Sequence, residues 1–107
     1  MLFLETPAFT KAVLELLTDE EYRELQAALV ERPDRGDLIR GGRGLRKLRW
    51  RRPGMGKRGG LRTIYYWAAG ADRILMVYAY PKSARDDLTP RQVTRLAGLA
   101  REEFGNG

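Results

Sequence analysis

The sequence predicts an α+β domain. Its expected core is a small antiparallel β-sheet, a three-stranded meander plus an N-terminal strand, carrying two N-terminal helices and one C-terminal helix. Three observations predict this. Thr6-Pro7, Thr18-Asp-Glu-Glu21 and Thr89-Pro90-Arg91-Gln92 each read as a helix start. Between the second and third of these starts lie three segments with strand alternation or strand composition. The links between those segments are short, which suits an antiparallel meander. The 107 residues are 43% hydrophobic and 32% charged, which suits one soluble globular domain spanning 1–107 and argues against disorder.

Taken in order, Leu2 to Glu5 is a short apolar run and reads as a first strand. Thr6 takes the N-cap position with Pro7 at N1, where a missing N–H is harmless. Phe9, Val13, Leu16 and Leu17 follow at helical spacing. Thr18 to Glu21 forms a capping box with acids in the first turn, where the helix dipole favours them. The second helix runs from about Asp19 to Glu31, with Tyr22, Leu25, Ala28 and Leu29 as its apolar stripe. Pro33 ends it, because the residue before a proline disfavours helix. Pro33 to Gly44 is a glycine-punctuated connector that Leu38 and Ile39 tack to the core.

Period two begins at Leu45 and runs to Arg52. Lys47, Arg49 and Arg51 fall on one face, and Leu48 and Trp50 on the other with Arg46. Pro53 to Gly60 is a glycine-rich loop. Leu61 to Trp67 and Arg73 to Tyr80 are apolar on both faces, as central strands are. Pro81 stops the last of these. The final helix reaches Phe104 on a stripe of Val93, Leu96, Ala97, Ala100 and Phe104, with Gly105 at C′. The order β–α–α–β–β–β–α leads us to expect helices on one side of the sheet, with basic residues displayed on the other side or at its lip.

The charge is unevenly spread. Residues 38–71 contain no acid, and residues 40–62 hold ten Lys or Arg among 23. That window carries +10, which leaves −4 for the rest of a chain whose net charge is +6. A basic face on a mildly acidic body steers polyanions, and each cation that meets a phosphate releases a counterion. Solubilising charge would be mixed in sign. Trp50, Tyr65, Tyr66 and Trp67 interleave with the run. They are either base-stacking platforms or core, and Tyr65 and Tyr66 must point to opposite faces.

Absences narrow the chemistry. The chain has no cysteine and no histidine. Disulfides, thiolate sites, His-based triads and histidine ribonuclease pairs are therefore excluded, and no metal or other cofactor is expected. A cysteine-free chain is compatible with a reducing cytoplasm. No apolar run approaches the roughly 20 residues that span a bilayer, and the first residues lack the basic n-region of a signal peptide. The loop Gly54-Met-Gly-Lys-Arg-Gly-Gly60 departs from the P-loop spacing and is followed by a strand, so it reads as a basic hairpin tip or a phosphate-backbone clamp.

Arg62 stands out because alternation places it inside a central strand, where an unpaired cation is expensive. It is either paired with Asp86 or Asp87, or it is a phosphate ligand on a rigid strand. A meander brings the end of the 73–80 strand near the start of the 61–67 strand, and so Lys82 toward Arg62. Arg85 follows on the same connector.

The segments GLRKLR, KRGGLRTIYYW, ILMVYAYPKS and the capped last helix resemble the RelE superfamily of bacterial toxins, most closely the HigB-type branch of type II toxin–antitoxin systems. The resemblance covers nearly the whole chain. It implies a cytoplasmic, ribosome-dependent mRNA endonuclease that cuts in the ribosomal A site without metal, by 2′-hydroxyl attack giving a 2′,3′-cyclic phosphate. It implies Lys57, Arg62 and Lys82 as catalytic residues: Arg62 on the reacting phosphate, Lys57 as candidate base, and Lys82 assisting the phosphate or leaving group. Lys47, Arg49, Arg51, Arg58 and Arg85 would bind RNA. The implied partners are mRNA on the ribosome, with its ribosomal RNA, and a helix-turn-helix HigA-type antitoxin through which alone operator DNA is reached. The chain departs from some relatives in having no Tyr after Lys82, which leaves Tyr80 or no aromatic in that role. A non-catalytic RNA- or ribosome-binding module and a gyrase-directed toxin of the same superfamily are the alternatives.

Overall fold

The structure is a computed structural model that describes residues 1–51, 60–85 and 87–104. Among the described residues eight elements follow one another: β1 (Leu2–Glu5), α1 (Pro7–Leu16), α2 (Asp19–Glu31), β2 (Asp37–Leu38), β3 (Leu45–Arg51), β4 (Gly60–Ala68), β5 (Arg73–Pro81) and α3 (Pro90–Glu103), with a short 3₁₀ turn between β4 and β5. The five strands form one sheet in the order β1-β5-β4-β3-β2. The β3–β4–β5 meander and the α+β class are as the sequence predicts.

All three predicted caps form. Thr6 Oγ1 accepts from Phe9 N, and Thr18 with Glu21 and Thr89 with Gln92 make reciprocal capping boxes. Thr6 also fastens α1 to the sheet. Its buried hydroxyl donates to Val77 O at 2.6 Å and its N–H to Met76 O at 3.0 Å.

Three expectations are corrected. The sheet is mixed, because β1 pairs parallel to β5. It also has a fifth strand inside the connector: Asp37 and Leu38 pair with Lys47 and Arg46. Two residues are too few to show alternation, so this edge strand is invisible to pattern reading. Finally, the helices cover both faces. Phe9, Val13, Leu25 and Leu29 of α1 and α2 pack on Leu48, Leu61, Tyr65 and Met76. Leu96 and Ala100 of α3 pack on Leu45, Ile64, Leu75 and Val77 of the opposite face. Both faces of β4 and β5 are apolar, so each needs a cover. The basic residues therefore occupy the part of the α3 face that α3 leaves open.

The connector is held by polar contacts as well as by Ile39, while Leu38 is exposed. Tyr65 is fully buried; its hydroxyl donates to Pro33 O at 2.7 Å and accepts from Gly36 N at 2.8 Å. Arg46 donates to Asp34 O at 3.2 Å and Gly36 O at 2.8 Å. Gly36 lies so close to the Tyr65 ring that a Cβ there would come within 2.8 Å of it. Gly44, with φ +103°, turns the chain into β3 over Tyr66.

Candidate active site and RNA-facing groove

β3, β4 and β5 bring the predicted cations together by register. Arg49 faces Arg62, and Arg62 faces Tyr80. Lys82 N–H donates to Gly60 O at 2.9 Å, extending the β4–β5 ladder by one step and fixing the lysine at the end of the sheet. A Cβ placed on Gly60 would lie 3.4 Å from Lys82 Cβ and 3.8 Å from Arg62 Nη1. The absent side chain at Gly60 is the space around which these two cations converge. Arg49, Trp50, Arg51, Gly60, Arg62 and Lys82 line an open cleft of about 240 Å³. Lys57 and Arg58, the loop around them, Asp86 and Gly105 lie outside the described residues.

Arg62 is only 9% exposed, and its Nε has no hydrogen-bond partner among the described residues. Of its two expected ionic partners, Asp87 pairs with Lys47, and Asp86 lies outside the described residues. Tyr80 is buried beside Arg62, and its hydroxyl is also without a partner among the described residues. Burial pushes the Tyr80 phenol up from 10.0, the Asp87 charge adds to that, and Arg62, Arg85 and Arg49 oppose it. Tyr80 is therefore a neutral hydroxyl at physiological pH. Orphaned donors also occur on the other face, at Trp50 Nε1 and Thr63 Oγ1. The distinction of Arg62 is its charge: a buried cation without a salt bridge to a described acid is more costly than an unpaired hydroxyl or indole N–H. A tetrahedral oxyanion in the cleft would give Arg62 a direct counter-charge.

The described cations around the groove thus divide into three groups. Arg46 is a structural clamp. Lys47 and Arg49 are each engaged by a carboxylate: Lys47 Nζ by Asp87, and Arg49 Nη1 by Asp37 at 3.1 Å. The Lys47 ammonium holds the Asp87 carboxyl below the usual carboxylate range. Arg51, Arg62, Lys82 and Arg85 make no salt bridge to a described acid. Sequence reading missed Asp37 as a member of the groove, and it set Asp87 against Arg62 where the structure sets it against Lys47. The signal for Asp87 was its place between Lys82 and the α3 cap, which returns it to the sheet. Of the aromatics, Tyr65 is core and Tyr66 packs on Phe104 with ring centroids 5.4 Å apart. Trp50 borders the cleft.

No helix among the described residues is long and apolar enough to cross a membrane, and no group of His, Cys, Asp or Glu among them is arranged to hold a metal ion. The protein is thus a small α+β domain whose sheet presents convergent, partly buried cations in an open groove, a site suited to a phosphodiester. A sequence model of the RelE toxin of the RelE / RelB toxin–antitoxin system matches residues 7–105. The chain belongs to this toxin family. Its members are typically endoribonucleases and partner with an antitoxin.

Proposed function

We propose that the protein is a HigB-type toxin that cleaves mRNA in the ribosomal A site. The observation that carries this reading is Arg62, a buried guanidinium that makes no salt bridge to a described acid and lines an open cationic cleft. In the reaction, the 2′-oxygen of the ribose bonds to phosphorus while the bond from phosphorus to the 5′-oxygen breaks. The 2′-hydroxyl proton passes to a base and the 5′-oxygen receives a proton, leaving a 2′,3′-cyclic phosphate and a 5′-hydroxyl. Arg62 stabilises the charge that builds on the pentacoordinate phosphorus, with its donors already fixed in a low-dielectric position. Lys82 stands next to it to support the phosphate or the departing oxygen. Tyr80 acts as a hydrogen-bond donor, because its raised pKa keeps its proton. Lys57 is the candidate base.

The ribosome aligns the message, so the toxin needs to supply little beyond this charge. A helix-turn-helix HigA-type antitoxin is the expected neutralising partner, and operator DNA is reached through it. The test is primer extension on mRNA from a translating extract, with wild-type protein and with Arg62→Ala. Ribosome-dependent cuts within translated codons that disappear in the variant support the reading. Intact mRNA with protein bound to ribosomes overturns it in favour of a non-catalytic binding module.

A further inference from the structure

The connector from Lys82 to Thr89 joins β5 to α3 and carries Arg85 in its middle. It is tied down at both ends. Lys82 N–H donates to Gly60 O and Ala84 N–H to Pro81 O, while Leu88 packs with the core on the α3 side of the sheet. Between those ends, its side-chain tie among the described residues is the ion pair of Asp87 with Lys47. An open cleft of about 570 Å³ lies between β2–β3 and the segment entering α3, and Lys47 and Asp87 both line it, so the pair bridges the groove. Arg40 and Arg49 line the same cleft, and Arg40 makes no salt bridge to a described acid. An acid set among these cations opposes a polyanion. Asp87 therefore has the wrong charge for direct contact with RNA, and its place calls for another role.

The pair is built as an anchor. Lys47 sits in β3 between Asp37 of β2 and Ile64 of β4, and its side chain is only 15% exposed. Its stem is already ordered by that burial, so holding a carboxylate costs it little further rotamer freedom. Asp87 is 74% exposed and belongs to the connector. An ordered cation on the sheet thus pins an exposed point of the chain. Arg85 stands two residues before that point and three after Lys82. The charges of Arg62, Arg85 and Arg49 all reach the Tyr80 hydroxyl. Lys47 acts most strongly on the Asp87 carboxyl, and the Arg49 and Arg62 charges reach it too. We propose that the Lys47–Asp87 pair is a strap that holds Arg85 over the cleft of Arg62 and Tyr80, which makes Asp87 a positioning residue for cleavage.

The effect on rate rests on the nuclease reading; the strap itself does not, and the test separates the two. Cutting of mRNA on programmed ribosomes is measured for wild type, Asp87→Ala, Asp87→Glu, Arg85→Ala and the double variant with Ala at 85 and 87. The order of the Arg85 Nε–H group is followed by ¹⁵N relaxation in the free proteins, and urea denaturation is run on each. Asp87→Ala removes an acid from the groove, so KM should stay level or fall. The kcat should fall about tenfold, the cost of a displaced positioning group. Asp87→Glu keeps the carboxylate and should restore most of kcat. In the Arg85→Ala background, loss of Asp87 should lower kcat no further, and Arg85 Nε–H should lose order in Asp87→Ala. The urea midpoint should hold, since so exposed a partner adds little to stability. A kcat that is unchanged or raised in Asp87→Ala means that Asp87 only screens Lys47, and overturns the proposal. So does an equal kcat loss with and without Arg85, or a loss that tracks a fallen urea midpoint and is not rescued by Asp87→Glu. Absence of cutting by wild type overturns the nuclease; the strap then stands if Arg85 loses order in Asp87→Ala and falls if it does not.

Discussion

Arg62 and Tyr80 face each other across the β4–β5 ladder, and Arg62 Nε and the Tyr80 hydroxyl are both buried without a hydrogen-bond partner among the described residues. Such a pair is a standing penalty in the free protein, since a buried donor without an acceptor forfeits its hydration. It becomes favourable when an oxyanion enters. Function and stability should therefore respond to mutation in opposite directions.

The first prediction follows from that pair. Arg62→Ala should lower the cleavage rate by about 10²–10³-fold, the usual loss when one fixed charge-stabilising donor is removed. It should leave stability to chemical denaturation unchanged or slightly raised. Arg62→Lys keeps the charge without the planar fork and should recover only part of the rate. Kinetics and urea denaturation on the same preparations check this. A variant that cuts normally but unfolds readily would make Arg62 a structural cation.

The second prediction concerns the connector. Tyr65 Oη joins Pro33 O to Gly36 N inside the core. Tyr65→Phe should destabilise the protein by about 1–3 kcal/mol, because it strands a buried N–H and a carbonyl. Gly36→Ala should destabilise by a similar amount, since a Cβ would press on the Tyr65 ring at 2.8 Å, and that ring is fully buried. The two changes damage one contact, so the double variant should lose less than the sum. Additive losses in denaturation would show that the contact is not shared.

These residues also show what the sequence could and could not reveal. Helix starts were legible because a capping box is a local code: Thr18 needs only Glu21, and Thr89 only Gln92. The meander was legible because Leu45–Arg51 alternates and β4 and β5 are largely apolar on both faces, with Arg62 and Thr63 the polar residues inside them. The convergence of Arg62 and Lys82 followed from the meander alone. The pairing of Asp37 with Arg49 and of Asp87 with Lys47 was not legible, because the second joins residues 40 positions apart through the placement of α3. The side of the sheet that α3 covers was equally hidden. An amphipathic stripe says that a helix has a partner face, not which face it is.

The third prediction is an alkaline limit on stability. The phenols of Tyr22, Tyr65 and Tyr80 are all pushed above the ordinary 10.0 by burial, and Tyr22 further by its hydrogen bond to Glu5. The folded state binds these protons more tightly than the unfolded chain does. Their contribution is thus fully present below the unfolded value of 10.0 and is lost as the pH rises through the folded values. Stability should hold from neutral pH to near 10.0 and fall beyond it. Phenolate absorbance should lag behind that of free tyrosine. Tyr80→Phe should shorten the lag without destabilising the fold, because it removes an unsatisfied hydroxyl. An absorbance curve that follows free tyrosine would contradict the buried placement of all three.

The fourth prediction separates the engaged cations from the open ones. Each Lys or Arg that newly meets a phosphate of a single strand contributes about 0.7 to the slope of log affinity against log salt. Lys82 and Arg51 make no salt bridge to a described acid, so Lys82→Ala and Arg51→Ala should each reduce that slope by about this amount. Lys47 already has Asp87 as a counter-ion, so Lys47→Ala should change the slope much less. Asp87→Asn frees Lys47 and should steepen it. Affinities for a short oligoribonucleotide measured over a range of salt concentrations decide the matter. Equal slope losses for Lys47→Ala and Lys82→Ala would mean that RNA displaces Asp87 from Lys47, so that this ion pair does not survive binding.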